Sequence, residues 1–376
     1  FFIYWLYIVS LSFFSDSFLE SFKSSFPYIR FIIFPLIIFY LIKSDKTFLK
    51  KFFLSLTFLF IILIFDSFYE FIIGKNILGY GGIEKGRLVS FFKDEYILGS
   101  YITKLFFLIA YLWLSLFKNN KFKHNFNFGL FYLVCFVIVF LSGDRMPFLL
   151  FILGSIIFLL VSNYNKWFKI TFVIFSSLII FITLNFNQNL FDRIVKRTLL
   201  DIGSEKGLKD DSRLYKIKLD NGKEITFLSQ HQNYFITSYK VFKENPVFGK
   251  GNKGFKLNCH KYKLDCCSCA SHPHNIYMQL LAENGIIGFL FFFFLFLWIS
   301  YIFFIQLIKV IKKDKNKILS NAQLCILICI YLNLWPIAQT GNLFNNWVSI
   351  IYFLPVGFLL NELNFKDNNF VIKFNV

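Results

Sequence analysis

The fold of this chain is decided where a polar segment meets an apolar one, in the stretch Ser271-His272-Pro273-His274-Asn275-Ile276-Tyr277-Met278-Gln279-Leu280-Leu281-Ala282-Glu283-Asn284-Gly285-Ile286-Ile287-Gly288. Apolar residues continue from there to position 308, and such a run is more than long enough to cross roughly 30 Å of hydrocarbon. Because the run is long for one crossing, we expect it to tilt or to begin as an interfacial helix. Two histidines and several amides thus lie at the mouth of an apolar helix, where polar side chains are expected to do more than pack.

The composition is that of a membrane protein. Hydrophobic residues make up 56% of the chain and aromatic residues 22%, Phe alone contributes 57 of 376 residues, and the mean hydropathy is +0.58. Apolar runs recur on both sides of the stretch, so we expect an all-α, polytopic membrane protein of about ten transmembrane helices with one long, partly helical periplasmic loop. The predicted spans are roughly 1–14, 27–42, 50–66, 97–117, 127–142, 146–161, 168–184, 276–308, 318–338 and 347–361.

The distribution of charge predicts the orientation of these spans. The net charge of +18 does not indicate a nucleic-acid partner, because no basic stripe with interleaved aromatics lies on a soluble domain. Lysines cluster after the second, fourth, sixth and eighth spans, and short cytoplasmic loops collect such residues. We therefore expect helices one to seven over 1–184, an external loop over 185–275, and helices eight to ten with a short cytoplasmic tail over 276–376. The chain begins at Phe1 inside an apolar run, which leaves room for helices before it.

Arg145 follows Ser142-Gly143-Asp144 in a tight turn between two predicted spans. One interpretation is structural, in which Arg145 pairs with Asp144 or extends to lipid headgroups. The other is functional, because a guanidinium held between two helices can bind two oxygens of a phosphate or pyrophosphate. We favour the functional interpretation.

His272 and His274 flank Pro273, and Asn275 is placed to cap the helix that follows. His274 then lies at the helix entrance, where the positive end of the helix dipole favours a neutral imidazole. Since a neutral imidazole is a competent general base, His274 is the predicted catalytic residue. The alternative is a cluster that only caps the helix and anchors it at the membrane interface.

The glycines Gly249, Gly251 and Gly254 resemble a phosphate-cradling loop. No strand-turn-helix context accompanies them, so we favour a compact turn that joins two surface helices. The residues before this turn, from Gln230 to Lys243, are expected to form the first of those helices.

Four cysteines lie in the external loop, namely Cys259, Cys266, Cys267 and Cys269. The spacing of Cys266 and Cys269 resembles that of zinc ligands, but a second well-spaced pair is missing. Since the external side is oxidising, the simpler prediction is a disulfide between Cys259 and one of the other three, with no metal.

Three motif elements, in this order, resemble the O-antigen ligase and polymerase family of bacterial inner-membrane glycosyltransferases. They are the turn Ser142-Gly143-Asp144-Arg145, the segment from Tyr239 to Gly251, and the stretch from Ser271 to Gly288. The stretch from Arg87 to Ser100 also resembles one branch of the family. The resemblance implies a multi-helix membrane fold with a periplasmic loop, and a glycan on undecaprenyl pyrophosphate as the donor. It also implies that neither a metal, nor a nucleotide sugar, nor any other cofactor is needed.

Within this resemblance, His274 corresponds to the family's proposed catalytic histidine, and Arg145 corresponds to its arginine in the turn. The family usually has a second arginine upstream of the external Pro-x-x-Gly-x-Gly element, where this chain has His231. Either His231 or Arg213 is therefore expected to supply the second phosphate contact. His272 and Asn275 are expected to join them in binding the substrate.

The resemblance leads to an O-antigen ligase of the bacterial inner membrane, with its active site on the periplasmic side and lipid A–core as the acceptor. An O-antigen polymerase, whose acceptor is a second lipid-linked glycan, is an alternative that the motifs leave open. A transporter or flippase of lipid-linked glycan is the rival from another class, with Asn333, Pro336 and Gln339 as its polar candidates. A membrane scaffold would require the structural interpretations of Arg145 and His274 together.

Overall fold

The computed structural model describes residues 1–81, 86–93, 95–117, 121–196, 215–218, 224–227, 230–262, 269–314 and 319–363. These residues are mostly helical, which confirms the predicted helical class. In chain order the helices are α1 (Phe2–Leu11), α2 (Phe18–Ser25), α3 (Arg30–Ser44), α4 (Phe48–Ile73), α5 (Leu98–Leu116), α6 (Lys121–Leu141), α7 (Arg145–Val161), α8 (Lys166–Phe186), α9 (Gln188–Phe191), α10 (Gln230–Glu244), α11 (Gly254–Asn258), α12 (Ile276–Ile311), α13 (Asn321–Asn333) and α14 (Asn346–Glu362).

Several helices have the length and composition of membrane spans. In the described part of the chain, five segments are long and apolar enough to cross a membrane: Phe18–Ser44, Phe48–Ile73, Leu98–Leu116, Lys166–Asn185 and Ile276–Ile311. Shorter apolar helices accompany them at Phe2–Phe14, Phe126–Leu141, Arg145–Val161 and Asn321–Asn333. A multi-pass membrane architecture is thereby supported, whereas the full count of spans and the external position of 185–275 stay predictions.

The ninth predicted span, 318–338, ends earlier than we expected. Helix α13 stops at Asn333, and the chain continues without helix to position 345. Pro336 explains the stop, because proline has no backbone N–H and disfavours helical geometry in Trp335 before it. We refer to these residues as the 334–345 segment.

The described residues also contain one pair of antiparallel strands, which the sequence analysis did not predict. Strand β1 (Tyr215–Lys218) pairs with β2 (Glu224–Phe227), with Tyr215 opposite Phe227 and Lys218 opposite Glu224. The dipeptide Asn221-Gly222 lies between them in the sequence. Flanked by alternating apolar and polar residues, this dipeptide is a strong local signal for a hairpin.

The chain divides into two compact units. The histidine unit, which includes His274, consists of Phe1–Ile37, Gly203–Ser300 and Leu334–Gly357. The arginine unit, which includes Arg145, consists of Ile38–Ile202, Tyr301–Asn333 and Phe358–Val376.

Helix α5 forms the centre of the arginine unit. It is buried along most of its length and packs against α4, α6, α7 and α13. Its Gly99 permits a close approach, since a Cβ there would lie 2.4 Å from Ser142 Oγ. The hydroxyl of Thr103 donates to the carbonyl of Pro147 at 3.1 Å. These two contacts attach the turn before α7 to the first turns of α5.

Helix α12 of the histidine unit is broken at Gly285, where φ is 64° and ψ is −166°. The break brings two glycines into backbone contact. A Cβ on Gly285 would lie 2.2 Å from the carbonyl oxygen of Val247, and a Cβ on Gly249 would lie 2.5 Å from the nitrogen of Gly285. Only glycine fits at either position, because a side chain would enter space that backbone atoms occupy.

The turn between α10 and α11 docks on this break. The N–H of Ile286 donates to the carbonyl of Pro246 at 2.9 Å, and the N–H of Lys250 donates to the carbonyl of Ala282 at 3.0 Å. The predicted compact turn between two helices is therefore confirmed. Its hydrogen bonds use backbone groups that the break in α12 leaves without helical partners.

Helix α1 is attached to the same place through Asn284. Tyr4 donates its hydroxyl to Asn284 Oδ1 at 3.2 Å, and Tyr7 donates to the carbonyl of Asn284 at 2.6 Å. The amide of Asn284 in turn donates to Asn252 Oδ1 at 3.0 Å. One buried asparagine thus joins α1, the turn between α10 and α11 (residues 245–253, called the glycine turn below) and α12.

Candidate functional site

His274 and Asn275 form a sharp corner immediately before α12. The backbone of His274 has φ 56°, in the left-handed region that non-glycine residues rarely adopt. Asn275 Oδ1 accepts from the N–H groups of Tyr277 and Met278, each at 3.0 Å. The predicted helix cap is therefore confirmed. We call His272, His274 and Asn275 the histidine corner.

The 334–345 segment binds this corner through its backbone. The amide of Asn275 donates to the carbonyls of Pro336 at 2.7 Å and Ala338 at 3.1 Å. The N–H of Thr340 donates to the carbonyl of His274 at 2.9 Å. Both ends of the Asn275 amide are thus bonded to protein groups. The contribution of Asn275 to substrate binding stays a prediction. Its hydrogen bonds are those of a residue that positions the neighbouring His274.

Two aromatic rings surround the imidazole of His274. The ring of His272 lies 4.2 Å from it and the ring of Tyr234 lies 5.4 Å from it, measured between centroids. His272 Nδ1 lies 2.9 Å from the hydroxyl oxygen of Ser271. Both histidines are partly buried. The structure therefore brings the two predicted histidines together and adds Tyr234, which the sequence did not single out.

A buried polar network supports the first turns of α12. Gln279 donates its amide to Glu283 Oε2 at 2.9 Å and to Asn342 Oδ1 at 2.8 Å. Its carbonyl oxygen accepts from the N–H of Leu343 at 3.0 Å. Buried amides and carboxyls need such partners, because leaving them without hydrogen bonds costs free energy. The amides in the motif therefore serve to attach the 334–345 segment to α12.

The disulfide predicted for the external loop joins Cys259 to Cys269, whose Cα atoms are 5.3 Å apart. The ligand atoms of Cys259, His260 and Cys269 lie within 4.8 Å of one another. Thiolate, rather than disulfide sulfur, is the metal ligand, so this crosslinked pair does not offer a zinc site. Cys266 and Cys267 lie outside the described residues.

Arg145 begins α7, directly after a buried carboxylate. Asp144 Oδ1 lies 3.1 Å from Arg87 Nη2, and the guanidinium of Arg87 also covers the ring of Tyr96 at 4.2 Å. Arg193 Nε donates to the carbonyl of Gly143 at 2.7 Å. We call residues 142–145 with Arg87 and Arg193 the arginine turn. The sequence had suggested Arg145 as a partner for Asp144, and the structure adds Arg87 and Arg193.

The carboxyl group of Asp144 has an unusual affinity for protons. Burial raises its pKa to about 6, above the ordinary value of 3.8, although the positive charges of Arg87 and Arg193 act in the opposite direction. Burial outweighs the two arginines because it removes water from the charged form of the carboxyl group. The ion pair with Arg87 is therefore sensitive to mildly acidic pH.

The second predicted phosphate contact is not located. Arg213 lies outside the described residues. His231 lies on α10, but its side chain is outside the described part of the chain. Both remain predictions.

Several apolar helices of spanning length define a multi-pass membrane protein. Its charged and titratable groups lie at helix ends, with the histidine corner at the start of α12 and the arginine turn at the start of α7. Residues 130–293 match the family model described as O-Antigen ligase, and this range includes all three motif elements. The predicted resemblance is therefore confirmed for this part of the chain. The family that this model describes consists of membrane glycosyltransferase-like enzymes. No curated protein and no solved structure matches the chain.

Proposed function

We propose that this protein transfers a glycan from undecaprenyl pyrophosphate to a sugar hydroxyl of lipid A–core, as an O-antigen ligase. The observation that carries the proposal is the histidine corner, which lies inside the matched range 130–293. There the backbone of His274 is held in a rare conformation by Thr340, and Asn275 ties the helix entrance to the 334–345 segment. Strained residues held by their surroundings are typical of active sites.

His274 acts as the general base in this proposal. It takes the proton from the acceptor hydroxyl, whose oxygen forms a bond to the anomeric carbon of the donor sugar. The bond from that carbon to the pyrophosphate oxygen breaks, and the electron pair leaves with the carrier pyrophosphate. Attack from the opposite face inverts the configuration at the anomeric carbon. Positioning and proton removal suffice for catalysis because pyrophosphate is already a good leaving group.

Arg145 binds the pyrophosphate in this proposal, with Arg213 or His231 as the second contact. A guanidinium suits this task because it binds two phosphate oxygens and keeps its charge at any physiological pH. No cofactor is required. We place the reaction on the periplasmic side of the bacterial inner membrane, where both lipid-linked substrates are presented to the external residues.

The test is glycan transfer by the purified protein in liposomes that contain the lipid-linked donor and lipid A–core. His274→Asn is the informative variant, since asparagine accepts a left-handed backbone but has no basic nitrogen. We expect its turnover to fall about 10²- to 10⁴-fold. His260→Ala, at an exposed histidine of the same unit, is the control and should keep wild-type turnover. Near-normal turnover of the His274→Asn variant would exclude His274 as the base.

The acceptor distinguishes the ligase from the polymerase. Deletion of the gene should leave lipid A–core without polysaccharide if the protein is a ligase. If it is a polymerase, lipid A–core should carry single repeat units instead. A liposome assay in which labelled lipid-linked glycan crosses the bilayer but is never transferred would support the transporter.

A further inference from the structure

The Cys259–Cys269 disulfide joins the core of the histidine unit, where Cys259 is buried, to the partly buried Cys269. Cys259 is buried in one cluster with Tyr234, Val241, Phe255 and Ala282. Tyr234 and Val241 belong to α10, Phe255 belongs to α11, and Ala282 belongs to α12. The crosslink is therefore embedded where three helices meet.

Two short routes connect this crosslink to His274. From Cys269, which packs against the cluster together with Ala270, the chain reaches His274 through Ser271, His272 and Pro273. From Cys259, the route passes through the same cluster to Tyr234, whose ring lies 5.4 Å from the imidazole. The two routes and the S–S bond close a ring that includes the imidazole of His274.

The hydrogen bonds described for His274 and Asn275 act on the backbone of His274 and on the side chain of Asn275. Thr340 binds the carbonyl of His274, and the bonds of Asn275 fix the peptide that follows. On the other side, the rings of Tyr234 and His272 lie beside the imidazole. The disulfide is attached to both of those residues, to Tyr234 by packing and to His272 by a short length of chain.

We propose that the Cys259–Cys269 disulfide is a positioning crosslink for His274, and that the site is fully active only while this crosslink is intact. The proposal rests on the proposed function only for the role of His274 as the base. A dithiol reductant would supply two electrons and two protons, break the S–S bond into two thiols, and itself become a cyclic disulfide. Disulfide exchange with an oxidised partner in an oxidising compartment would restore the bond.

The test compares two double variants of the full-length protein. Cys259→Ser with Cys269→Ser removes the crosslink. Cys266→Ser with Cys267→Ser removes two sulfurs from the same segment and leaves the crosslink in place. The first readout is the rate at which diethyl pyrocarbonate modifies His274, measured by peptide mass spectrometry with His124 of α6 as the internal reference. We expect this rate to change several-fold without the crosslink and to stay at the wild-type value in the control.

The second readout is the kinetics of glycan transfer. Loss of the crosslink should lower kcat about 10- to 100-fold, as expected for a misplaced catalytic group, with a much smaller change in KM. Treatment of the folded wild-type protein with dithiothreitol should produce the same two changes, and reoxidation should reverse them. This arm keeps the test valid if the double variant does not fold.

An unchanged His274 modification rate after confirmed reduction would overturn the proposal. Failure of the proposed function has a different signature. A wild-type protein with an intact crosslink that transfers no glycan would contradict the transferase, while the modification rates would still decide whether the disulfide positions His274.

Discussion

The histidine corner and the arginine turn hold their polar groups by different means. At the corner, neutral hydrogen bonds from the 334–345 segment, a helix cap and a disulfide fix His274 and Asn275. At the turn, an ion pair joins Arg87 to the buried Asp144, and Arg193 donates to the carbonyl of Gly143. Neutral hydrogen bonds respond little to pH, whereas an ion pair depends on the protonation of its acid. The hydrogen bonds of the histidine corner therefore fix the positions of its groups, whereas the arginine turn depends on the charge of Asp144.

Loss of the helix break should affect the histidine unit most strongly. Gly285→Ala would place a Cβ 2.2 Å from the carbonyl oxygen of Val247 at a residue with φ 64°. We expect a destabilisation of more than about 3 kcal/mol, measured as a lower thermal unfolding temperature in detergent micelles. Gly129→Ala in α6 is the matched control, because no atom lies within 4 Å of its Cβ. That variant should be neutral or stabilised by up to about 1 kcal/mol. Equal unfolding temperatures for the two would mean that the backbone contact at Gly285 does not hold the corner.

The dependence on pH should separate the two regions next. The pKa of Asp144 is raised from 3.8 to about 6, so the folded state binds this proton more tightly than the unfolded state. Its contribution to stability is therefore fully present below pH 3.8 and is lost as the pH rises through about 6. A shift of this size corresponds to about 2 to 3 kcal/mol.

Asp144→Asn should remove that pH dependence from the unfolding of the arginine unit, measured by thermal unfolding between about pH 4 and 7. The control is Asp192→Asn, which removes a half-exposed carboxyl group of the same unit. If the pH dependence of the unfolding temperature is the same in Asp144→Asn as in the wild type, a group other than Asp144 binds the proton.

We expect the smallest effect from variants of Asn275 that separate its two roles, capping α12 and binding the 334–345 segment. Asn275→Ser keeps an oxygen that can cap α12 but is too short to donate to the carbonyls of Pro336 and Ala338, whereas Asn275→Ala loses both functions. We expect a loss of about 1 to 2 kcal/mol for the serine variant and about 1 kcal/mol more for the alanine variant. Chemical unfolding measures the losses, and hydrogen exchange at Thr340 reports on the attached segment. Identical stabilities for the two variants would show that the cap contributes nothing.

Features that depend on neighbours in the chain could be predicted from the sequence. The cap at Asn275 needs only the N–H groups of the next turn, and the glycine turn follows from the spacing of Gly249 and Gly251. The disulfide also joins residues of one short segment, Cys259 and Cys269. In each case the residue type and its spacing in the sequence are enough to indicate the local contact.

Contacts between distant parts of the chain were not predicted. The sequence offers no rule that pairs Asn275 with the carbonyls of Pro336 and Ala338, because a backbone acceptor has no signature in the sequence. For Asp144 the adjacent Arg145 suggested a partner, but nothing in the sequence pointed to the ion pair with Arg87. Which distant residues pair in this way depends on how the helices pack, and the hydropathy pattern of the sequence does not indicate that packing.

One local feature was missed although its signal was present. The strands Tyr215–Lys218 and Glu224–Phe227 flank Asn221-Gly222, and both alternate in polarity. This alternation spans only a few residues, whereas the apolar runs of the membrane spans dominate the pattern of the chain. In such a chain, a strand in a polar segment is indicated only by its local period of two residues.

The backbone of His274 lies in the left-handed region, where histidine is less stable than glycine or asparagine would be. A glycine or an asparagine would occupy φ 56° at less conformational cost, which for other residues is about 1 to 2 kcal/mol. Selection for stability alone would therefore remove the imidazole. The presence of histidine at this position means that the histidine unit is less stable than its backbone permits. Under the proposed function, that difference in stability is what the chain gives up to present a base at the helix entrance.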